Sequence, residues 1–357
     1  MSVLFRYLAR EVYLAVALVL AAFLGLFAFF DFVNELEDVG KSGYQLYDAA
    51  VYVALILPGR VYELFPVAVL IGTLYALATL ARHSEITVMR ASGMSNLLLM
   101  RMLALIGSVF VVLTFLIGEY VAPPAESAAQ EWKLTATKAN VSQQLRSGLW
   151  VKDGVLVINV RTMLPDRTML NARVYEFDAD YALVSISEAR RGVHDGTDQW
   201  RLQDVTRTRF LADRTEVERL PEIVWRSDLS PEVLGVLMVG PEHMPLAKLW
   251  TYIQHLRDNQ QSTDRFEIAL WKKLSYPFAI LVMMALALPF GFIHDRMGAA
   301  SARIFMGVML GVGFHLLNGL FSNLGMINAW PPLLAALTPS LIFLAAAGGI
   351  LYYVERR

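Results

Sequence analysis

The 357-residue sequence contains no cysteine. That excludes a disulfide framework, a thiolate metal site and a cysteine nucleophile together. Charge is scarce too, at 18% of residues, and the two signs nearly cancel to a formal net charge of −1. The basic excess that draws a protein to nucleic acid is therefore missing. So are the common catalytic signatures. There is no G-x-x-x-x-G-K-[ST], hence no phosphate-cradling loop, and neither H-E-x-x-H nor G-x-S-x-G occurs. The six histidines (His83, His194, His243, His255, His294 and His315) never fall at ligand spacing on one helix.

What the sequence has in excess is apolar length. Hydrophobic residues make up 56% of the chain, against about 45–50% in soluble domains. About twenty apolar residues cross a bilayer core, and six stretches reach that length: Tyr13–Val33, one within Asp48–Ala81, Leu97–Val121, Leu274–Ile293, Ile304–Met326 and Pro332–Val354. The first follows Arg6 and Arg10 but is too long for a signal sequence, and Leu24–Ala28 is a poor cleavage site, so a retained crossing is expected. The second is too long for one simple crossing. Its boundary falls near Arg60 to Glu63, which leaves Asp48–Leu57 as an interfacial helix or a helical extension. Basic residues collect on one side (Arg6, Arg10, Arg82, Arg90, Arg101, Arg296, Arg303, Arg356 and Arg357), which predicts cytoplasmic termini.

Between the third and fourth crossings the composition becomes that of a soluble domain. The chain thus divides into a first membrane half (1–121), an insert (122–265) and a second membrane half (266–357). The insert reads as β. Gly148–Ile158 gives strand, Asp-Gly turn, strand, and further strands are expected at Ala172–Asp178, Ala182–Arg191, Gln199–Arg209 and Glu216–Trp225. That spacing suggests a sandwich, a jelly roll or an open barrel on the periplasmic side. Pro124–Asn140 and Pro245–Asp258 read as helical flanks.

Five places offer chemistry. Between crossings two and three, residues 83–95 form a short amphipathic helix, with Ser84 as N-cap and Gly93 closing it. Ile86, Met89 and Arg90 share one side at helical spacing, while Glu85, Val88 and Ser92 form another. Such a helix either docks on a separate motor or lies on the lipid surface. Gly307-x-x-x-Gly311 reads as a close helix contact rather than a dinucleotide fingerprint. His315 and Asn318 share a face, with Asn323 further along, and predict an interhelical hydrogen bond within the chain or to a partner. Arg60 and Glu63 are spaced to pair. Lys272 and Lys273 sit near the outer surface, where they either snorkel to headgroups or meet an anionic substrate, and Lys133 is placed to join them.

Further segments stand out: Phe32–Leu36 with Gly43-Tyr44, Arg82–Gly93 with its S-E-x-x-V-M-x-A-x-G pattern, Gly118–Pro123, Gly148–Gly154, Trp271-x-Lys273 and Pro331-Pro332. Together they resemble the lipopolysaccharide export permeases of the LptF/LptG (YjgP/YjgQ) family. Phe32–Tyr44 and Gly148–Gly154 are similar to the LptG type rather than the LptF type. The resemblance implies a six-helix membrane protein with an inserted periplasmic β-jellyroll. It implies half of an ABC transporter core that pairs with a second permease, LptF, on a dimer of the ATPase LptB, which binds ATP and Mg; no cofactor is expected in this chain. It further implies a coupling helix around Glu85, with Ile86, Met89 and Met94 filling the ATPase groove and Arg90 beside them. Lipopolysaccharide would enter between the first and fifth crossings and pass through the insert to LptC and the periplasmic bridge. Where family members carry basic residues after the first crossing, this sequence has Asp31, Glu37 and Asp38, with Lys41 nearby; Lys133 matches a basic position and Gln130 replaces another. The lipid phosphates are accordingly expected at Lys41, Lys133, Lys272 and Lys273. The rival classes are a mechanotransmission subunit, against which six crossings argue, and a polytopic lipid-modifying enzyme, for which no convergent acid or histidine set is seen. Besides membrane lipids, no other partner class, and no nucleic acid, is expected.

Overall fold

The computed structural model describes residues 2–41, 43–137, 148–163, 168–178, 180–195, 199–211, 213–226, 240–289 and 299–356. Hydrocarbon offers the backbone no water, so each apolar run must satisfy its own amides, and each becomes a helix. These are α1 (Ser2–Glu35), α2 (Leu46–Arg82), α3 (Glu85–Ala91), α4 (Asn96–Leu116) and α5 (Ala122–Ala136), followed after the insert by α6 (Leu246–Asp258), α7 (Asp264–Ala287), α8 (Ala299–Ile327) and α9 (Pro332–Glu355). Among the described residues, six helical stretches are long and apolar enough to span a membrane, with α4 running through a π-helical turn (Ile117–Val121) into α5.

The second crossing is one unbroken helix of 37 residues, although Pro58 and Pro66 lie inside it. Asp48–Leu57 is therefore a continuation. Its start explains why: the Gln45 amide donates to Asp48 at 2.9 Å and the Gln45 side chain returns the bond, a reciprocal cap that begins the helix before the apolar stretch. The fourth crossing is described to residue 289 only. His294 and Arg296 lie outside the described residues, and so does the end of the first flank, whose helix stops at Ala136.

Small residues set the helix spacing. A Cβ at Gly72 would stand 2.6 Å from the Val16 backbone, so α1 and α2 touch backbone to side-chain position there. Gly307 and Gly311 do the same for α8 on α2, where added carbons would meet Leu74 at 2.6 Å and Val67 at 2.5 Å. Around these contacts lies one apolar core drawn from α1, α2, α4, α7, α8 and α9.

The insert holds β1 (Leu149–Asp153), β2 (Leu156–Met163), β3 (Met169–Phe177), β4 (Leu183–His194), β5 (Gln199–Phe210) and β6 (Thr215–Arg226). They form one antiparallel sheet in the order β1-β2-β3-β4-β5-β6. The inserted β domain is thus as expected. Its described pairings make an up-and-down meander, and the long return connection of a jelly roll does not occur among the described residues. The first hairpin pairs Asp153 with Leu156, so its two-residue loop is Gly154-Val155, one position later than the Asp-Gly reading, with Gly154 at φ +59°. Alternate side chains, including Ile158, Val160, Val174, Trp200, Leu202 and Trp225, build a separate core on one face. A third, smaller core joins α6 to the start of α7 through Leu249, Ile253, Leu256, Ala269 and Leu270.

Replacing Gly72 by Leu should destabilise the protein by about 1–3 kcal/mol through overpacking. Gly25→Ala, where nothing lies within 4 Å, should be neutral or slightly stabilising. Thermal unfolding in detergent, with the two variants side by side, checks both.

Candidate docking helix and the polar site at the insert end of the bundle

At one end of the bundle, α3 links the second and third crossings. Ser84 holds the N-cap position in a left-handed conformation, φ +62°, and its hydroxyl makes no cap bond; its carbonyl accepts the Val88 amide instead. The C-terminus closes as a Schellman motif. Gly93, at φ +92°, donates to the Arg90 carbonyl and Met94 donates to Met89. That turn drops Met94 into the bundle core beside Ile86, with Met89 packed against it. The groove-filling role expected of Ile86 and Met94 is therefore corrected: both are buried by their own chain, because the short helix must bury one face to stay on the bundle. What α3 presents outward is Val88, which is 63% exposed, with Thr87 and Arg90 exposed beside it. Glu85 is half-buried and accepts a hydrogen bond from the Tyr7 hydroxyl of α1 at 3.2 Å.

At the opposite end, near the insert, the acids that follow the first crossing already hold cations. Arg60 grips Asp31 with two nitrogens, at 2.8 and 2.9 Å, and also reaches Glu63 at 2.9 Å. Lys133 pairs with Glu35 at 2.8 Å and with Asp38 at 3.2 Å, and Lys41 pairs with Asp38 at 3.0 Å. The buried Tyr44 hydroxyl donates to the second Glu35 oxygen, and the Lys133 ammonium lies 5.0 Å from the Tyr52 ring centre. Two of the four lysines singled out by sequence are thereby neutralised within the chain.

The other two line one cavity but differ in their partners. Lys273 is buried, pairs with Glu119 at 3.3 Å and donates to the Met244 carbonyl. Lys272 faces a cavity of about 160 Å³ lined by Glu63, Glu126, Glu242, His243 and, from α8, His315 and Asn318. Its side chain makes no hydrogen bond or ion pair among the described residues; it feels Glu242 and Glu63 only through space. His315 and Asn318 therefore join the same cavity as Lys272. Asn318 is buried and donates to the Phe314 carbonyl of its own helix.

Sequence reasoning passed over three partners: Glu119, Glu126 and Asp31. An acid inside an apolar run demands a counter-charge, and Glu119 in the third crossing and Lys273 at the start of the fourth are such a pair. Glu126 is 2.7 Å from His243 Nδ1. That hydrogen bond, outweighing burial, raises the imidazole above its ordinary value of 6.5. A raised folded-state value means the contact contributes fully below about pH 6.5 and is lost as pH climbs through the folded value. The thermal stability gap between wild type and His243→Gln should thus shrink as pH rises from about 6 to 9, as a melting series in detergent would read.

The chain matches the family described as lipopolysaccharide export system permease LptF/LptG over residues 6–353. It is 29% identical over 340 residues to the lipopolysaccharide export system permease protein LptG of Haemophilus influenzae, covering 95% of each chain. It is equally 29% identical over 345 residues to the protein of that name from Escherichia coli K12, covering 96% of each. With six membrane-spanning helices, an inserted β domain and a match over almost its whole length, the chain belongs to the LptF/LptG family of lipopolysaccharide export permeases, multi-pass proteins of the inner membrane.

Proposed function

We propose that this chain is the LptG-type half of a transporter that extracts lipopolysaccharide from the inner membrane and passes it outward, driven by ATP that a partner ATPase binds and hydrolyses with Mg. The observation that carries the reading is α3, a short helix anchored by a buried face between two crossings and open on the other. A single chain without a phosphate loop needs an external motor, and a rigidly seated helix transmits displacement where a loop would absorb it. In this reading the termini and α3 are cytoplasmic and the insert is periplasmic, as the basic residues on the α3 side imply. Both relatives named above carry the LptG name, which favours that type over its paralogue LptF.

Leu18 and Phe29 of α1 and Phe305 and Leu316 of α8 stand open to the surroundings at 62–70%. They suit a seam with a second permease through which acyl chains enter. For the phosphates, Lys272 is the first candidate, since its ammonium has no ion-pair partner within the described chain. Lys41 and Lys133 join only by exchanging Asp38 and Glu35 for phosphate oxygens. Lys273 lies too deep and is already paired. Motion would start with closure of the ATPase dimer, carried by α3 into the bundle, and the sheet's apolar face would receive the acyl chains on the way to LptC and the bridge.

Glu85→Arg should leave the protein folded and lower ATP turnover coupled to export at least about tenfold in reconstituted complexes, the scale of one lost charge-assisted contact. Coupling at the wild-type level in that variant would remove Glu85 from the docking face. Lys272→Glu should weaken photo-crosslinking to lipopolysaccharide, whereas Lys273→Met should not weaken it in the bundle; equal losses would reverse the assignment of the two lysines.

A further inference from the structure

The insert returns to the membrane through Met244-Pro245-Leu246, and the two backbone polar groups flanking the proline are both taken by side chains from the crossings. Pro245 has no N–H, so the segment offers the Met244 carbonyl and the Leu246 amide, the latter one of the orphan donors at the start of α6. The Lys273 ammonium donates to the carbonyl. Glu119 accepts the Leu246 amide on both oxygens, at 2.9 and 3.0 Å. The two side chains pair with each other at 3.3 Å and are only 7% and 12% exposed. Glu119 reaches this point because the third crossing widens there into a π turn, a local rewinding that re-aims side chains. Gly118 lets Tyr62 of α2 pack against the turn, since a Cβ at that position would lie 2.4 Å from the Tyr62 ring.

The far end of α6 is tied as well. Asn259, its C-cap, accepts the Gly154 amide of the β1–β2 loop at 2.6 Å. The 13-residue α6 is thus a strut that lies along the start of α7 through Leu249, Ile253 and Leu256, with Arg257 paired to Glu267 at 2.8 Å, and carries the sheet contact at its C-terminal end. A buried ion pair adds little net stability over well-packed apolar residues, because desolvation offsets the attraction. Its directional bonds do select one arrangement. We infer that Glu119 and Lys273 are positioning residues for lipid hand-over: through α6 they hold the sheet's apolar face at a fixed place relative to the crossings. The hand-over itself rests on the transport reading above; the strut does not.

The cysteine-free sequence makes the test direct. Ile327→Cys on the bundle and Val217→Cys on the sheet are both exposed, and spin labels there report the spacing of the two parts in the full chain in nanodiscs. In Glu119→Ala the distance distribution should broaden, and amides in the first turn of α6 should exchange about tenfold faster, while sheet amides keep their protection. Glu119→Gln, which retains an oxygen for the Leu246 amide, should recover much of that protection. Lys273→Met, close to Lys in volume, should broaden the spacing too, and serves if Glu119→Ala does not fold. Unchanged spacing and exchange in these variants would overturn the inference. In the complete transporter, a photo-crosslinking residue replacing Trp225 should capture less lipopolysaccharide in Glu119→Ala, while one replacing Leu18 captures as much as before. Capture at Trp225 that stays at the wild-type level despite a broadened spacing would overturn the hand-over role. Wild-type protein that captures lipid at neither position would instead sink the transport reading, leaving the strut judged by the spacing alone.

Discussion

A charge that enters a low-dielectric region must bring its counter-charge with it, and the end of this protein nearest the insert is organised by that requirement. Two unit charges about 3.3 Å apart attract by about 5 kcal/mol at an effective dielectric near 20, and desolvation takes back several kcal/mol per ion. The net stabilisation is small, but the geometric selection is large. Asp31 with Arg60 fixes α1 against α2; Glu35 and Asp38 with Lys133 fix α1 against α5. Glu126 with His243 and Glu119 with Lys273 fix the returning chain against α5 and the π turn. Each pair joins elements that the sequence separates, so a small set of directional contacts adds to the apolar core between α6 and α7 in seating the insert.

The other end of the bundle is built on the opposite principle. There α3 is held by burial of Ile86 and Met94 and by a glycine-closed turn, and its carboxylate, Glu85, accepts a hydrogen bond from a tyrosine hydroxyl. Apolar seating leaves the polar face of that helix open to a protein partner. In the proposed function this asymmetry divides the labour: a docking element that can exchange partners at one end, and an ion-paired scaffold that keeps its arrangement at the other.

Much of this was legible from residues alone. Apolar length placed the crossings, and strand-like runs spaced by turn residues placed the six strands, with β2 running on to Met163, because both signals are local and survive any packing. Gly307-x-x-x-Gly311 was readable for the same reason: two missing side chains on one helix face invite a neighbour, and α2 supplies it. The lysines were harder. Lys272 and Lys273 are adjacent in sequence and identical in type, and both line the cavity, yet neighbouring residues on a helix point about 100° apart, so only Lys273 also reaches an interior carboxylate. Which acid would hold Lys133 depends on contacts 95 and 98 residues distant in the chain (133 − 38 and 133 − 35), which no local pattern encodes. The meander order of the sheet was likewise invisible, since strand spacing fixes the number of strands and not their neighbours.

The unbroken length of α2 carries a mechanical consequence. At 37 residues it is a rod about 55 Å long, with the α3 turn at its foot and Arg60, Tyr62 and Glu63 partway up among the insert's anchors. A tilt of about 5° at the foot would sweep the far tip by about 5 Å if the rod stays straight. The two prolines ordinarily weaken a helix, but Gly59 beside Pro58 lies against Glu126 of α5, and the Glu63 carbonyl one turn before Pro66 accepts a hydrogen bond from Tyr276 of α7. In the proposed function, small angular strokes at one face of the membrane would thereby become displacements of several ångströms at the other.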